Sequence, residues 1–418
     1  VLTDEFTPCA PATARDLGLM VGSPPPAERQ VTLANWQEAP WNRWSFQHVG
    51  EIIPSARIPR GDGPVTALPV AELPVEDVDF ETISGARITV RQLLERTYTD
   101  GFLVLKGGQV ACERYYNGMA PATPHLLQSV SKSMTGALAG SLVGLGLLEP
   151  ERAAEAYVPE LETTSFAGAS VRQVLDMSTG TRFTEEYDDP ESDVRRYEAA
   201  AGWRPASAGD DLDLFRYMLT LGNHRPHGGV FEYRSILTDL LGCVIERAGG
   251  ARFADLMSEH IWSRLGAEQD AHITVDRHGN PMADGGMSVT LRDLGRFGIM
   301  YLRRGRWNAK QIVPAAWVND TLCADDACRE AFARSVSAER YPRGHYRNQW
   351  WVPDGAAGIL LAAGIYGQYV YIDARADVTI VKLSTLPFAL DLGVSADHTR
   401  AFAAIAAALR QPLPDDRR

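Results

Sequence analysis

Lysine is almost absent from this chain. It occurs four times, as Lys106, Lys132, Lys310 and Lys382, while the other 37 of the 41 basic residues are arginine. Arginine keeps its proton in proteins, whereas a desolvated lysine can lose it. The four lysines are therefore the places to look for an amine that works as a base. Cysteine is also scarce. Cys9, Cys112, Cys243, Cys323 and Cys328 are odd in number and scattered, which argues against a disulfide framework. Cys323 and Cys328 lie close enough to raise a metal or redox reading, but no second pair or histidine cluster joins them, so two small side chains in a helix or loop are expected. No apolar run approaches the ~20 residues that span a bilayer. The N-terminus has no basic start followed by an apolar stretch, so no secretory signal is visible. A soluble, cytoplasmic protein is the expectation. Positive charge is in deficit: the net charge is −12, with no arginine-rich tail. That argues against nucleic acid as a partner and leaves small molecules, cationic or neutral. A homodimer is left open.

The Gly-x-Ser-x-Gly elbow of a histidine-dependent serine hydrolase is missing, as is His-Glu-x-x-His. His224 and His227, in "NHRPHGG", could be half of a metal site, but a polar loop at a cleft edge is the better reading. Neither a metal nor a cofactor is expected.

What is present is a chain of 418 residues, 45% hydrophobic, enough for two or three domains or one large enzyme with an inserted subdomain. Residues 1–85 are proline-rich and lack periodicity. Their cluster Trp36, Trp41, Trp44 and Phe46 is too apolar to leave in water, so an extended segment wrapping a folded body is expected. "GFLVLKGGQVACERYYNG" reads as a strand hairpin across Gly107 and Gly108. Residues 129–299 carry mainly helical spacing. After about 345, "NQWWVP", "GILLAAG", "QYVYIDA" and "VTIVKLS" read as strands with short turns, and an alanine-rich helix closes the chain. The spacing predicts an α+β fold: an antiparallel sheet from residues 86–128 and 300–418, flanked by helices, with the mainly helical lobe 129–299 inserted and a site between the lobes.

One lysine stands in "SVSKSMTG", residues 129–136. Ser129 and Lys132 are at i and i+3, so a helix puts them on one face. A serine is a weak nucleophile until a base takes its proton. For a lysine to serve, its pKa of ~10.4 must fall by about three units, and burial at an apolar helix start is expected to supply the fall. By itself the pair is also what a capping serine followed by a snorkelling lysine looks like. Two further stretches bear on it. In "GGVFEYRSILTDLLG", Tyr233 and Ser235 precede an apolar helix, where a phenol could pass a proton to a leaving group. In "LLAAGIYGQYVYID", Gly364 and Gly367 interrupt a strand, which marks close approach of a ligand or backbone. A sheet edge there could offer the Ile365 amide, with the Ser129 amide, to an oxyanion.

Ser-x-x-Lys, then Tyr-x-Ser a hundred residues on, then a glycine-containing late strand: this order resembles the serine β-lactamase, penicillin-binding-protein and class C-like esterase superfamily. The usual Lys-Thr-Gly is replaced by Ala362, Ala363 and Gly364, and Tyr-x-Asn by Tyr233-Arg234-Ser235. Those departures are the ones seen in its esterase and amidase branch. Within that branch "WQEAPWNRWSFQHVGEIIPSA", "HLLQSVSKS", "AGWR", "ADGGMSVTLRDLGR" and "GIYGQYVYID" resemble the nylon-oligomer amidases, the 6-aminohexanoate-dimer hydrolase family, over residues 35–405. The resemblance implies a β-lactamase/transpeptidase-like fold. It implies Ser129 as the acylated nucleophile, Lys132 as its base and Tyr233 as the proton relay, with the Ser129 and Ile365 amides as oxyanion hole. It also implies Tyr187 as a mobile tyrosine closing over substrate and Trp203 as a pocket wall. Glu198 would be a carboxylate holding a substrate ammonium, and Asp284 a position that tunes amide cleavage. The expected activity is a serine hydrolase acting on short carboxylic esters, with 6-aminohexanoate-type linear amides as a further candidate. Acyl transfer to an amine or alcohol is the main alternative, and a decayed, non-catalytic binding protein the lesser one.

Overall fold

The computed structural model describes residues 11–206 and 211–410; Cys9 lies outside them. Residues 11–54 run as turns and short helical pieces over the body, and bury Trp36 and Phe46 in its core. Then come β1 (Ser55–Ile58), β2 (Thr99–Lys106), β3 (Gln109–Tyr115) and β4 (His125–Leu126). Helix α1 (Val130–Gly144) follows, then α2 (Asp193–Ala200) and α3 (Ile236–Gly249). Next are β5 (Ala271–Thr274), β6 (Met287–Val289) and α4 (Leu291–Leu302). The chain ends in β7 (His345–Arg347), β8 (Trp350–Asp354), β9 (Ile359–Gly364), β10 (Gln368–Asp373), β11 (Val378–Ser384) and α5 (Leu392–Leu409).

The large sheet has the order β7-β8-β9-β10-β11-β2-β3, antiparallel throughout. The early hairpin thus joins the late strands through β11 and β2. Both faces are covered. Ala401, Phe402 and Ile405 of α5 pack with Phe102, Val104, Tyr369, Tyr371 and Ile380 on one face. Helix α4 lies on the other so closely that a Cβ at Gly298 would stand 2.4 Å from Thr379 Cγ2. All seven residues of β11 are buried, as a strand covered on both faces requires, Thr379, Lys382 and Ser384 as well as Val378, Ile380, Val381 and Leu383.

A second sheet, β1-β5-β6-β4, differs from the expectation of a helical block over 129–299. Strands β5 and β6, four and three residues long, are too short to show a period of two. They matter because β6 holds the entrance to α1: Leu127 donates to Met287 O at 2.8 Å and Met287 N to Ser131 Oγ at 3.1 Å. Among the described residues no helix is long and apolar enough to cross a membrane.

Candidate active site

Ser129 is the residue before α1, yet its hydroxyl does not cap the helix. Gln128 before it is left-handed, φ 48°, and this sharp turn sets Ser129 in the wall of a cavity of about 580 Å³. The Ser129 hydroxyl lies 2.9 Å from Lys132 Nζ, one turn along α1. Lys132 is 1% exposed. Its amine also reaches Ser235 Oγ at 3.0 Å, Asp284 O at 3.1 Å and Asp284 Oδ2 at 3.3 Å. Tyr233 lines the same cavity. Its ring centroid is 5.2 Å from Lys132 Nζ, and it stacks on Trp351 at 5.4 Å.

The expected fall in the Lys132 pKa needs correction. Burial does push it down, but Tyr233, Asp284, Glu185 and Asp239 outweigh that, and the net direction is up. A buried ammonium is tolerable where opposite charge surrounds it. Lys132 therefore holds its proton in this arrangement, and three N–H bonds serve four acceptors. The carboxyl groups respond to burial as well. Glu185 is pushed above the usual carboxylate range, and Asp239 well above it, with the nearby Asp284 charge adding to burial. Burial raises the Tyr233 phenol too, against the pull of Lys132.

Glu185 is the member of this hydrogen-bonded group that sequence reasoning missed. It accepts from Ser235 N and Ser235 Oγ, both at 2.6 Å, and from Tyr187 Oη at 2.7 Å. Ser235, another residue before a helix that makes no cap bond, so bridges Lys132 to Glu185. No local signal distinguishes Glu185 from the other acids of "TEEYDDPESD". Trp351, the platform under Tyr233, is equally anonymous in sequence.

The glycine strand meets this group from the sheet side. A Cβ on Gly364 would stand 2.8 Å from Leu127 O and 3.1 Å from Ser129 N, so only glycine lets β9 end against the Ser129 amide. Ile365 then opens a tight turn in which Tyr366 and Gly367 are left-handed, φ 62° and 90°. Gln368 pins that turn, with Nε2 donating to Ser384 O at 2.6 Å and to Ile365 O at 3.4 Å. Ser129 and Ile365 both line the cavity. Among the described residues neither amide donates to another group.

Two positions carried over by resemblance stand elsewhere. Glu198, on α2, is 3% exposed and already engaged: Arg195 binds Oε2 at 2.8 Å, Arg204 at 2.5 Å, and Gln37 reaches Oε1 at 3.3 Å. With two guanidiniums on it, it offers no free charge to a substrate ammonium in this arrangement. Trp203 packs edge-on to Trp36, donates to Thr274 Oγ1 at 2.9 Å and presses on Gly285. It supports the Asp284 segment from behind and is not in the cavity wall. Tyr187 is in the wall, its hydroxyl held by Glu185. His227 bonds Gly180 N and approaches Ala167 O, while His224 faces Glu232. No group of three or more His, Cys, Asp or Glu side chains that could hold a metal occurs among the described residues.

The family model described as beta-lactamase matches residues 86–405. A 6-aminohexanoate-dimer hydrolase of Paenarthrobacter ureafaciens is 39% identical over 391 residues, 91% of this chain and 97% of that protein. A Bacillus anthracis structure bearing the provisional name of a 6-aminohexanoate-dimer hydrolase superimposes with a TM-score of 0.84 at 29% identity, over 93% of this chain and 100% of that one. A hydrolase described as having promiscuous acyltransferase activity shares the fold alone, with a TM-score of 0.58 at 16% identity over 76% of this chain and 94% of that one. The chain belongs to the beta-lactamase family, beside the 6-aminohexanoate-dimer hydrolases, and is a serine hydrolase of the β-lactamase fold.

Proposed function

We propose that the protein acylates Ser129 with the carbonyl group of short carboxylic esters and of linear amides of the 6-aminohexanoate type, and then releases the acid with water. The observation that carries this reading is the 2.9 Å contact of Ser129 Oγ with Lys132 Nζ, beside two amides that donate to nothing else among the described residues. Before attack, Lys132 must give up its proton. Ser235 receives from Lys132 and donates to Glu185, so a proton passed along that line leaves a free amine and a neutral Glu185, which burial favours. Ser129 Oγ then bonds to the carbonyl carbon while its proton goes to Lys132. The carbonyl electron pair moves onto oxygen, where the Ser129 and Ile365 amides and the positive end of α1 receive it. Collapse breaks the bond to the leaving nitrogen or oxygen. Tyr233 supplies that atom's proton and is reprotonated from Lys132. Water repeats the sequence and restores Ser129.

Intact-mass spectrometry after a slow ester or a fluorophosphonate tests the reading. One adduct is expected, on Ser129, and none on Ser129→Ala. An adduct that persists in Ser129→Ala would overturn it. Adding an amine acceptor to the same ester reaction separates water from acyl transfer, since transfer yields the new amide at the expense of the acid.

A further inference from the structure

The cavity at Ser129 extends well beyond the catalytic group. From Tyr233 and Trp351 it continues past Tyr341 over a floor of Ala363 and Tyr369 to the start of α5. Leu386, Ala389, Leu390, Leu392 and Val394 make that arm apolar, and Leu390 and Leu392 stay 57% and 63% exposed along it. Arg340 is its one cation among the described residues.

Arg340 is held in place. It donates to Ser395 Oγ at 2.6 Å, Ser395 lies 3.2 Å from Tyr369 Oη, and the guanidinium sits 5.1 Å from the Tyr341 ring. Among the described residues it forms no ion pair with a carboxylate. The two acids nearby in the lining are Glu339 and Asp391, and Asp391 is engaged as the cap of α5, accepting from Val394 N at 2.9 Å. A guanidinium presents five N–H donors in a planar fork, and one bond to a serine leaves most of that fork open.

Arg340 stands on a definite side of the reacting bond. Tyr233 contacts Trp351 at 5.4 Å, Trp351 contacts Tyr341 at 5.9 Å, and Tyr341 carries Arg340. A second line starts at the oxyanion turn: Ala363 pairs with Tyr369 across the strands, and Tyr369 leads to Ser395 and Arg340. The first line leaves from Tyr233, the group that serves the departing atom, and the second joins it at Arg340 from the sheet side.

We propose that Arg340 is the subsite for a carboxylate on the leaving group, so that the preferred substrates are amides or esters whose departing amine or alcohol continues as an alkyl chain ending in a carboxylate. The inference rests on acylation at Ser129. The methylenes lie along the leucine-lined arm, which removes apolar surface from water, and the carboxylate takes the open side of the guanidinium fork.

The test pairs a linear amide ending in a carboxylate with its carboxamide-ended analogue. The ratio of their kcat/KM values should fall roughly tenfold in Arg340→Gln, chiefly through KM, and recover in part in Arg340→Lys, as befits a solvent-reached ion pair. Calorimetry on Ser129→Ala reads the subsite without turnover. That variant should bind the carboxylate-ended amide more tightly than the analogue, and the difference should vanish in Ser129→Ala/Arg340→Gln. An unchanged kinetic ratio, or equal binding of the two amides by Ser129→Ala, overturns the subsite. Failure of acylation at Ser129 looks different: Ser129→Ala would still turn over both amides while the calorimetric difference remained.

Discussion

A lysine whose proton is held by neighbouring carboxylates is a poor base until one of them takes that proton. Lys132 is in that position, and Glu185 is the acid to which a hydrogen-bonded line leads, through Ser235 Oγ at 3.0 and 2.6 Å. Glu185 also contributes to the charge that raises Lys132 and Tyr233. Glu185→Gln should therefore do two separable things. Removing the anion lowers the pKa of both groups, so the limb on which kcat/KM rises with pH moves to lower pH. Removing the proton acceptor lowers the plateau, by roughly a hundredfold if Glu185 acts in the proton transfer. A shifted limb with an intact plateau would reduce Glu185 to an electrostatic neighbour. Neither effect, at unchanged thermal stability, would sink the relay.

At the scale of elements, α1 serves the site by how closely it can be approached. Gly136, Gly140 and Gly144 recur every four residues and share a face. A Cβ on Gly136 would stand 2.3 Å from Asn348 O, one on Gly140 2.6 Å from Trp317, and one on Gly144 2.5 Å from Pro314. An alanine ordinarily favours a helix over glycine by about 1 kcal/mol. At Gly136 the obstacle is backbone, from a turn whose Asn348 and Gln349 are left-handed, φ 53° and 68°, so overpacking should win. Gly136→Ala should lower unfolding stability by about 1–3 kcal/mol, read as a lower urea midpoint at unchanged m. A rise in the midpoint would contradict the close approach. The helical spacing of α1, its small residues, the β2–β3 hairpin and the antiparallel late strands were all legible in the sequence, because each is written in consecutive residues. The same holds for Ser129 and Lys132, one turn apart. What was illegible depends on residues that meet only when folded. The arginines on Glu198 come from both sides of it in sequence, Arg195 and Arg204, yet nothing in the string "DVRRYEAAAGWRP" says that they turn inward onto it. The groups that raise Lys132 come from 233, 284, 185 and 239, and their convergence reversed the expected direction of its pKa.

At the scale of the whole molecule, the sheet is built from distant parts of the chain, and a buried polar layer marks where they meet. Arg43 of the N-terminal segment reaches Asp100 on β2 at 2.8 Å and Thr385 after β11 at 2.6 Å, and His125 of β4 closes on Asp100 at 3.1 Å. Beside them Lys382 of β11, fully buried, contacts Ser384 and approaches Thr97 O, while His398 of α5 approaches Thr97 Oγ1. Burial pushes Lys382 down to about 7; Asp100 pulls it back up and Arg43 adds to the fall. Burial, with the Lys382 charge, also pushes His398 well below its ordinary value. The signs follow from proton counts. Between pH 7 and about 10 an unfolded lysine carries a proton that the folded Lys382 has lost, so stability rises with pH across that window. Below about pH 6.5 an unfolded histidine takes a proton that the folded His398 refuses, so stability falls further as pH drops. The Lys382 contribution across its window is on the order of 4 kcal/mol. Lys382→Met should flatten the rise, so that its stability relative to the parent chain is greatest near pH 7 and shrinks towards pH 10, whatever constant amount the lost Ser384 contact costs. Urea unfolding at pH 7, 8.5 and 10 measures this as a difference of slopes. A parent chain and a Lys382→Met variant that run parallel across those three points would mean the buried amine is charged throughout, with Asp100 as its counter-ion across the layer.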